Sequence, residues 1–299
     1  MMGQTQHLRI FQPHPGLYAY YDGRVAGYRF MEDDNWVDDG AIGLGIATYA
    51  LVAGQAALVY DTNVSPEHGA AIRVHLEEQG VTEFTVIYSH WHLDHVAGTS
   101  AFAGCEVIAN ARTAAHLAER RVAIETGTYD GPPAIKPLIL PTRVFSGHLE
   151  ILFGDQTVTL IEANIHSDDA TVLWLPERRI LLAGDTVEDC VTYVGEPAHF
   201  ATHLDDLDRL AALEPEFVLQ DHGAPEILAG GGYAAEIIRA TQRYVRWLAG
   251  LQASPEKCDT PLEAIIADDL AAGIQKWYEP YTQIHVQNVD RTLEFYGHG

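Results

Sequence analysis

The sequence predicts an α/β fold in which two β-sheets pack face to face with helices outside. Three observations predict it. Short apolar runs rich in β-formers alternate with helix signals in two successive rounds along the chain. Some of these runs alternate polar with apolar residues and others are apolar throughout, as sheets covered on one face or on both require. A glycine run, Gly230-Gly231-Gly232, then closes the pattern and a helix-rich end follows. Residues 1–229 are therefore expected to form the main domain, and 230–299 a C-terminal helical extension packing on it.

The first runs are Leu17 to Tyr21, Ile46 to Val52 and Ala56 to Tyr60; Ala53-Gly54-Gln55 between the last two reads as a hairpin turn. Met31 to Gly40, acidic and turn-forming, reads as a mobile loop carrying an isolated Trp36. Ser65 as N-cap, Pro66 in the first helical position, apolar Ile72 and Leu76, and Gly80 as a stop define a helix. Phe84 to Tyr88 is the next strand, followed by a strand at Val107 to Ala109 and a helix at Thr113 to Arg121. Gly127 to Pro141, rich in Gly and Pro, reads as a long loop. The second round brings strands at Leu149 to Phe153, Val158 to Glu162, Thr171 to Leu175 and Ile180 to Ala183, a helix near Leu204 to Leu213, and a strand at Phe217 to Gln220. An amphipathic helix from Tyr233 to Leu248, a linker at Ser254-Pro255 and a helix after Thr260-Pro261 complete the chain.

Composition narrows the function. With 42 acidic against 18 basic residues, the net charge of -24 repels nucleic acid and anionic membranes. No stretch approaches the roughly 20 apolar residues of a membrane helix, and Met1 to Phe11 carries neither the basic start nor the apolar run of a secretory leader. Three widely spaced cysteines, Cys105, Cys190 and Cys258, suggest neither a disulfide framework nor a CxxC metal site. A cytoplasmic protein acting on a small molecule is expected; a homo-oligomeric state is left open.

The chemistry concentrates just past the strand Phe84 to Tyr88, where His90, His92, Asp94 and His95 fall within six residues. Neutral imidazole and carboxylate are the donors that divalent transition metals bind, and an irregular turn can aim alternate side chains at two neighbouring points. His90 and His92 would face one ion, Asp94 and His95 the other. Downstream, His166 and His222 taken alone read as surface or turn residues, and Asp185 either as a ligand or as a turn cap. The ten other histidines, among them His68, His116, His199, His203 and His285, read as surface or helix residues.

The run Ser89-His90-Trp91-His92-Leu93-Asp94-His95-Val96-Ala97-Gly98 resembles the HxHxDH signature of the metallo-β-lactamase superfamily. The resemblance covers about Ile46 to Gly223. It implies that His166 in ANIHSDDATVLWLP is the third histidine of the first site, Asp185 in ILLAGDT the carboxylate bridging both metals, and His222 in VLQDHG the last histidine of the second. It further implies an αββα sandwich with two divalent metal ions, zinc by expectation, between the sheets at one edge. Asn164-Ile165-His166-Ser167-Asp168-Asp169 departs from the usual Gly-His-Thr-Pro-Gly turn, and Asp221 stands where the last motif usually has Gly. Asp168 and Asp169 read either as carboxylates orienting a ligand imidazole or as exposed loop acids.

What the resemblance implies is a dinuclear metal-dependent hydrolase, using a metal-bridging hydroxide to cleave a small ester, lactone, thioester or lactam. Asp94 would be both ligand and proton shuttle. Tyr193 would donate to a developing oxyanion, as in related lactonases, or simply pack at a strand end. Efficient β-lactamase activity ranks lower, because β-lactamases of this type tend to carry Cys or Ser where Asp185 stands. An iron-dependent oxidoreductase similar to persulfide dioxygenases is the alternative, and a non-catalytic binding module comes last. Trp36, the Gly127 to Pro141 loop and the C-terminal helices are the expected walls of a substrate cleft; the aromatic segment Lys276 to His285 either anchors its helix or covers that cleft.

Overall fold

A computed structural model describes residues 4–297. A seven-stranded sheet carries β1 (Arg9–His14), β2 (Leu17–Asp22), β3 (Ile46–Ala53), β4 (Ala56–Tyr60), β5 (Glu83–Ile87), β6 (Glu106–Asn110) and β7 (Arg143–Phe145), in spatial order of sequence. β1 to β4 form an antiparallel meander, and β4 to β7 run parallel. The second sheet holds β8 (His148–Phe153), β9 (Gln156–Glu162), β10 (Thr171–Leu175), β11 (Ile180–Gly184) and β12 (Phe217–Gln220) in the order 12-11-10-9-8, antiparallel except for the pair β11–β12.

The period-2 pattern decides which side chains meet. Tyr21, Tyr49, Leu51, Leu58, Tyr60, Ile87 and Ile108 point between the sheets, whereas Tyr20, Ala50, Val59, Val86 and Val107 point outward. Over that outer face lie α1 (Pro66–Glu78) and α2 (Ala111–Thr126). On the second sheet, β10 and β11 are buried along their whole length. Helices α3 (Phe200–Ala212), α4 (Glu236–Gly250) and α5 (Tyr281–Tyr296) contribute Leu207, Ile238, Tyr244 and Val289 to the core these strands share. The two sheets are therefore the middle layers of an αββα sandwich.

Hydrogen bonds clamp the sheets at one edge. Tyr60 Oη donates to the Thr171 carbonyl (2.6 Å), Tyr49 Oη to the Gln220 carbonyl (2.6 Å) and the Ala47 amide to the Asp221 carbonyl (2.7 Å). Each contributes about 1 kcal/mol net; their larger effect is to fix the C-terminal ends of β4, β5, β11 and β12 side by side. Gly69 and Gly98 bring α1 onto the turn following the His-rich motif so closely that a Cβ on Gly69 would overlap the Gly98 backbone and one on Gly98 the Thr62 carbonyl.

Several expectations need correction. Met31 to Asn35 is irregular as expected, but Val37–Ala41 forms a π-helical turn and the segment is tied down: Asp38 accepts from the Phe30 amide and from Asn35 Nδ2, and Trp36 Nε1 donates to the Pro133 carbonyl. β1, β7 and α5 were not expected from the pattern; β1 is polar and carries Pro13, and β7 has only three residues. Ser65 caps α1 as expected, its Oγ accepting from the His68 amide, and residues 127–141 have no regular structure. His68, His203 and His285 do lie on helices but are buried. No described helix is long and apolar enough to cross a membrane.

Candidate metal centre

All seven expected ligand positions converge at the clamped edge. His90, His92, His166 and Asp185 bring donor atoms within 4.8 Å of one another, and Asp94, His95 and His222 do the same beside them. Asp185 Oδ2 is the common point. It lies 3.2 Å from His95 Nε2, 3.4 Å from His222 Nε2, 3.5 Å from His166 Nε2 and 3.6 Å from His90 Nε2. Asp94 reaches His222 Nε2 at 3.4 Å and His95 Nε2 at 3.5 Å. The sequence places these groups by a shared device: β5, β11 and β12 end in the motif turn, Asp185 and Asp221-His222 respectively, and parallel strand ends are where α/β proteins assemble sites.

The opposite ring edges fix which nitrogen faces the centre. His222 Nδ1 donates to the Gly45 carbonyl (2.7 Å), and His166 Nδ1 to the Tyr193 carbonyl (3.2 Å). Asp61 Oδ2 holds His95 Nδ1 at 2.9 Å, and Ser89 Oγ lies 2.9 Å from His90 Nδ1. A carbonyl can only accept, so His166 and His222 turn their Nε2 lone pairs inward. His92 instead presents Nδ1, 2.8 Å from His90 Nε2 and 3.0 Å from His166 Nε2. His166 has φ +67° and Asp61 φ +64°, left-handed conformations that few non-glycine residues adopt and that cluster at functional sites.

These residues fit a pair of divalent ions. His95 Nε2 and Asp185 Oδ1 are buried without a hydrogen-bond partner, and the donor set of five imidazoles and two carboxylates suits a borderline metal such as zinc. Proton affinities agree. Burial, then neighbouring imidazoles, push His90 far down and His92 to about 3. Burial opposes charge on His95 and His222 too, but Asp94 and Asp185 beside the former, and Asp185 and Asp94 beside the latter, outweigh it and raise both. Protons thus gather where cations would displace them. Asp94, despite burial, is held down to about 2 by His95 and His222.

Other expectations fare differently. Asp168 pairs with His116 Nε2 at 2.7 Å, and the buried Asp169 accepts from Ser167 Oγ, so neither orients a ligand imidazole. Asp61 does that work. It follows an apolar strand just as Asp185 does, which was the signal available for finding it. Asp221 lies behind His95, 3.2 Å from Nδ1, and burial and Asp61 raise its carboxyl strongly. Glu188 was also missed; it is buried, accepts from Thr192 Oγ1 and the Tyr193 amide, and burial first pushes it up to about 8.

A cleft of about 1030 Å³ opens over the centre. Trp36, Tyr129 and Asp130 line it, as do Tyr193 and, from α5, Gln283, Gln287 and Arg291. The Arg291 guanidinium lies 5.2 Å from the Tyr193 ring centroid. The aromatics of the C-terminal segment mainly anchor it: Tyr281 Oη donates to the His222 carbonyl, Tyr278 Oη to the Gly43 carbonyl, and His285 Nδ1 pairs with Tyr244 Oη.

A two-sheet sandwich with a His/Asp centre at the strand ends defines a class, and comparison with known proteins gives it a family. Residues 42–222 match the model of the metallo-beta-lactamase superfamily, and the chain belongs to that superfamily. It is 24% identical to the "Probable metallo-hydrolase YflN" of Bacillus subtilis, over 53% of this chain and 70% of the relative. It is 25% identical to the "Beta-lactamase-like protein 2 homolog" of Drosophila melanogaster, over 60% of this chain and 59% of the relative. Among solved structures, a metallo-beta-lactamase from Pontibacter korlensis superposes with a TM-score of 0.56 at 16% identity, covering 78% of this chain and 99% of the other. The DIM-1 metallo-beta-lactamase gives 0.58 at 17%, covering 81% and 98%. At such identities the structures show the shared fold alone.

Proposed function

We propose that the protein is a dinuclear, zinc-dependent hydrolase of small esters, lactones, thioesters or lactams. The observation that carries this reading is the single oxygen, Asp185 Oδ2, set 3.2–3.6 Å from four imidazole nitrogens aimed at two adjoining donor clusters. His90, His92 and His166 would hold one ion, Asp94, His95 and His222 the other, with Asp185 shared. Two ions held there would supply a nucleophilic water at neutral pH and a Lewis acid for the substrate carbonyl.

The chain's own residues do the rest. Asp94, which lines the cleft and lies 3.4 Å from His222 Nε2 and 3.5 Å from His95 Nε2, takes the proton released by the attacking water and passes it to the leaving group. Tyr193, on the cleft wall with its hydroxyl kept protonated by burial, donates to the developing oxyanion. Trp36, Tyr129 and the α5 side chains exclude water and set which acyl groups enter. Residues 1–229 form the catalytic unit and 230–299 its helical extension. Three free cysteines accord with a reducing, cytoplasmic setting. The bacterial relative is named a probable metallo-hydrolase, which favours the hydrolase reading over the iron oxidoreductase alternative.

A turnover screen of lactones, thioesters, esters and β-lactams, on protein of measured metal content, tests the reading. Hydrolysis of a lactone, ester or thioester that disappears on chelation and returns with zinc is expected. Oxygen-consuming turnover with a single iron would overturn it.

A further inference from the structure

One group of potential ligands outside this centre is used by nothing described above. Glu196, His199 and His203 bring donor atoms within 4.8 Å of one another. They sit where the segment leaving β11 enters α3: Glu196 precedes the 3-10 turn Pro197–His199, and His203 follows four residues on, within α3. Spacing of i, i+4 brings the two histidines to one side. Glu196 Oε2 is 2.9 Å from His199 Nδ1, and Asn164 Nδ2 is 3.4 Å from that same nitrogen.

The telling residue is His203. Its side chain is 0% exposed, and neither ring nitrogen has a hydrogen-bond partner; the buried Oδ1 of Asn164 lacks one as well. Leaving a buried polar group unsatisfied costs about 1–3 kcal/mol, so such a ring calls for a partner. Burial, then His199 and His166, lower His203 to about 4, which leaves it neutral at pH 7 with a lone pair available. Two imidazoles and a carboxylate meeting at one point, one of them buried and otherwise unpartnered, are a donor set for a borderline divalent ion.

We propose that Glu196, His199 and His203 hold a further divalent transition-metal ion of the zinc class, separate from the seven-residue centre, with Asn164 beside it. Glu196 also lines the cleft. The ion therefore pins the segment that carries Tyr193 and Glu196 onto α3, and so steadies one wall of the cleft. Being partly open to solvent at Glu196 and His199, this site binds more weakly than the buried centre and fills last.

Calorimetric titration of the full chain with zinc, followed by elemental analysis after removal of unbound metal, tests the proposal. The wild type should take up about one ion per chain more than His199→Ala or Glu196→Gln. His199 and Glu196 side chains are each 42% exposed, so both variants should fold, with far-ultraviolet circular dichroism as the check. His203→Ala would open an interior cavity and is not the deciding variant. Because the readout is the difference between wild type and variants, it holds whatever number of ions the main centre carries. Equal zinc stoichiometry in all three proteins would overturn the proposal.

Discussion

Replacing Asp61 with Asn probes how the centre is pre-organised. Both oxygens of Asp61 are engaged: Oδ1 accepts from the Ser89 amide at 2.7 Å and Oδ2 from His95 Nδ1 at 2.9 Å. An amide of the same size offers one acceptor and one donor. Whichever way it turns, its NH₂ faces an N–H: either the Ser89 amide is left unsatisfied, or His95 shifts its proton to Nε2, toward Asp185 and the metal position. Loss of such an orienting partner typically lowers metal affinity 10–100-fold, which is about 1.4–2.8 kcal/mol. Zinc competition against a chromophoric chelator measures this directly. Asp168→Asn serves as the control, because Asp168 pairs with His116 and touches no ligand ring. Wild-type affinity in Asp61→Asn, or an equal loss in Asp168→Asn, would refute the reasoning.

Tyr193→Phe should lower kcat by roughly 10²-fold with metal content unchanged if the hydroxyl meets the oxyanion; a KM effect alone would reduce Tyr193 to a wall residue. Cys190 is buried behind the C-terminal segment, with its thiol pushed up by burial, so a thiol reagent should label only Cys105 and Cys258 until the protein is unfolded, and mass mapping of the labelled peptides checks this. Truncation before Gln275 should disturb the centre as well as selectivity, since it removes Tyr281 from the His222 carbonyl and Asn288 from the Val194 amide; unchanged zinc affinity in the truncated chain would contradict that. In metal-free protein, His203 has a folded pKa of about 4, below the ordinary 6.5. Wild type should therefore lose about 3 kcal/mol of stability relative to His203→Gln as pH falls from 6.5 toward 4, which denaturant titrations of both proteins across that range measure.

How far the fold and centre could be read from residues depends on the range of the interaction. The metal motif is local: His90 to His95 follow a strand whose apolar residues announce it, so both the strand and the ligand turn were legible. His166, Asp185 and His222 carry little signal individually and became readable only through their order along a resembled pattern. Asp61 was passed over because its partner His95 is brought to it by tertiary packing, and Glu188 because its partners Thr192 and Tyr193, though near in sequence, lie in an irregular segment that displays no period. The departures at Asp168, Asp169 and Asp221 drew attention as acids near a ligand, yet the backbone turned the first two toward His116 and Ser167. α5 begins in an aromatic segment whose residues anchor on His222 and Gly43, a long-range role that no periodicity displays.

The central claim is that Asp185 is shared by two metal ions. Elemental analysis of wild type and Asp185→Ala, each purified with zinc and dialysed against metal-free buffer, tests it most directly, with circular dichroism confirming that both are folded. The account predicts about two zinc ions retained by the buried centre of the wild type and loss of both in Asp185→Ala, because removing Oδ2 takes a ligand from each donor cluster at once. Retention of the wild-type zinc content by a folded Asp185→Ala protein would contradict it.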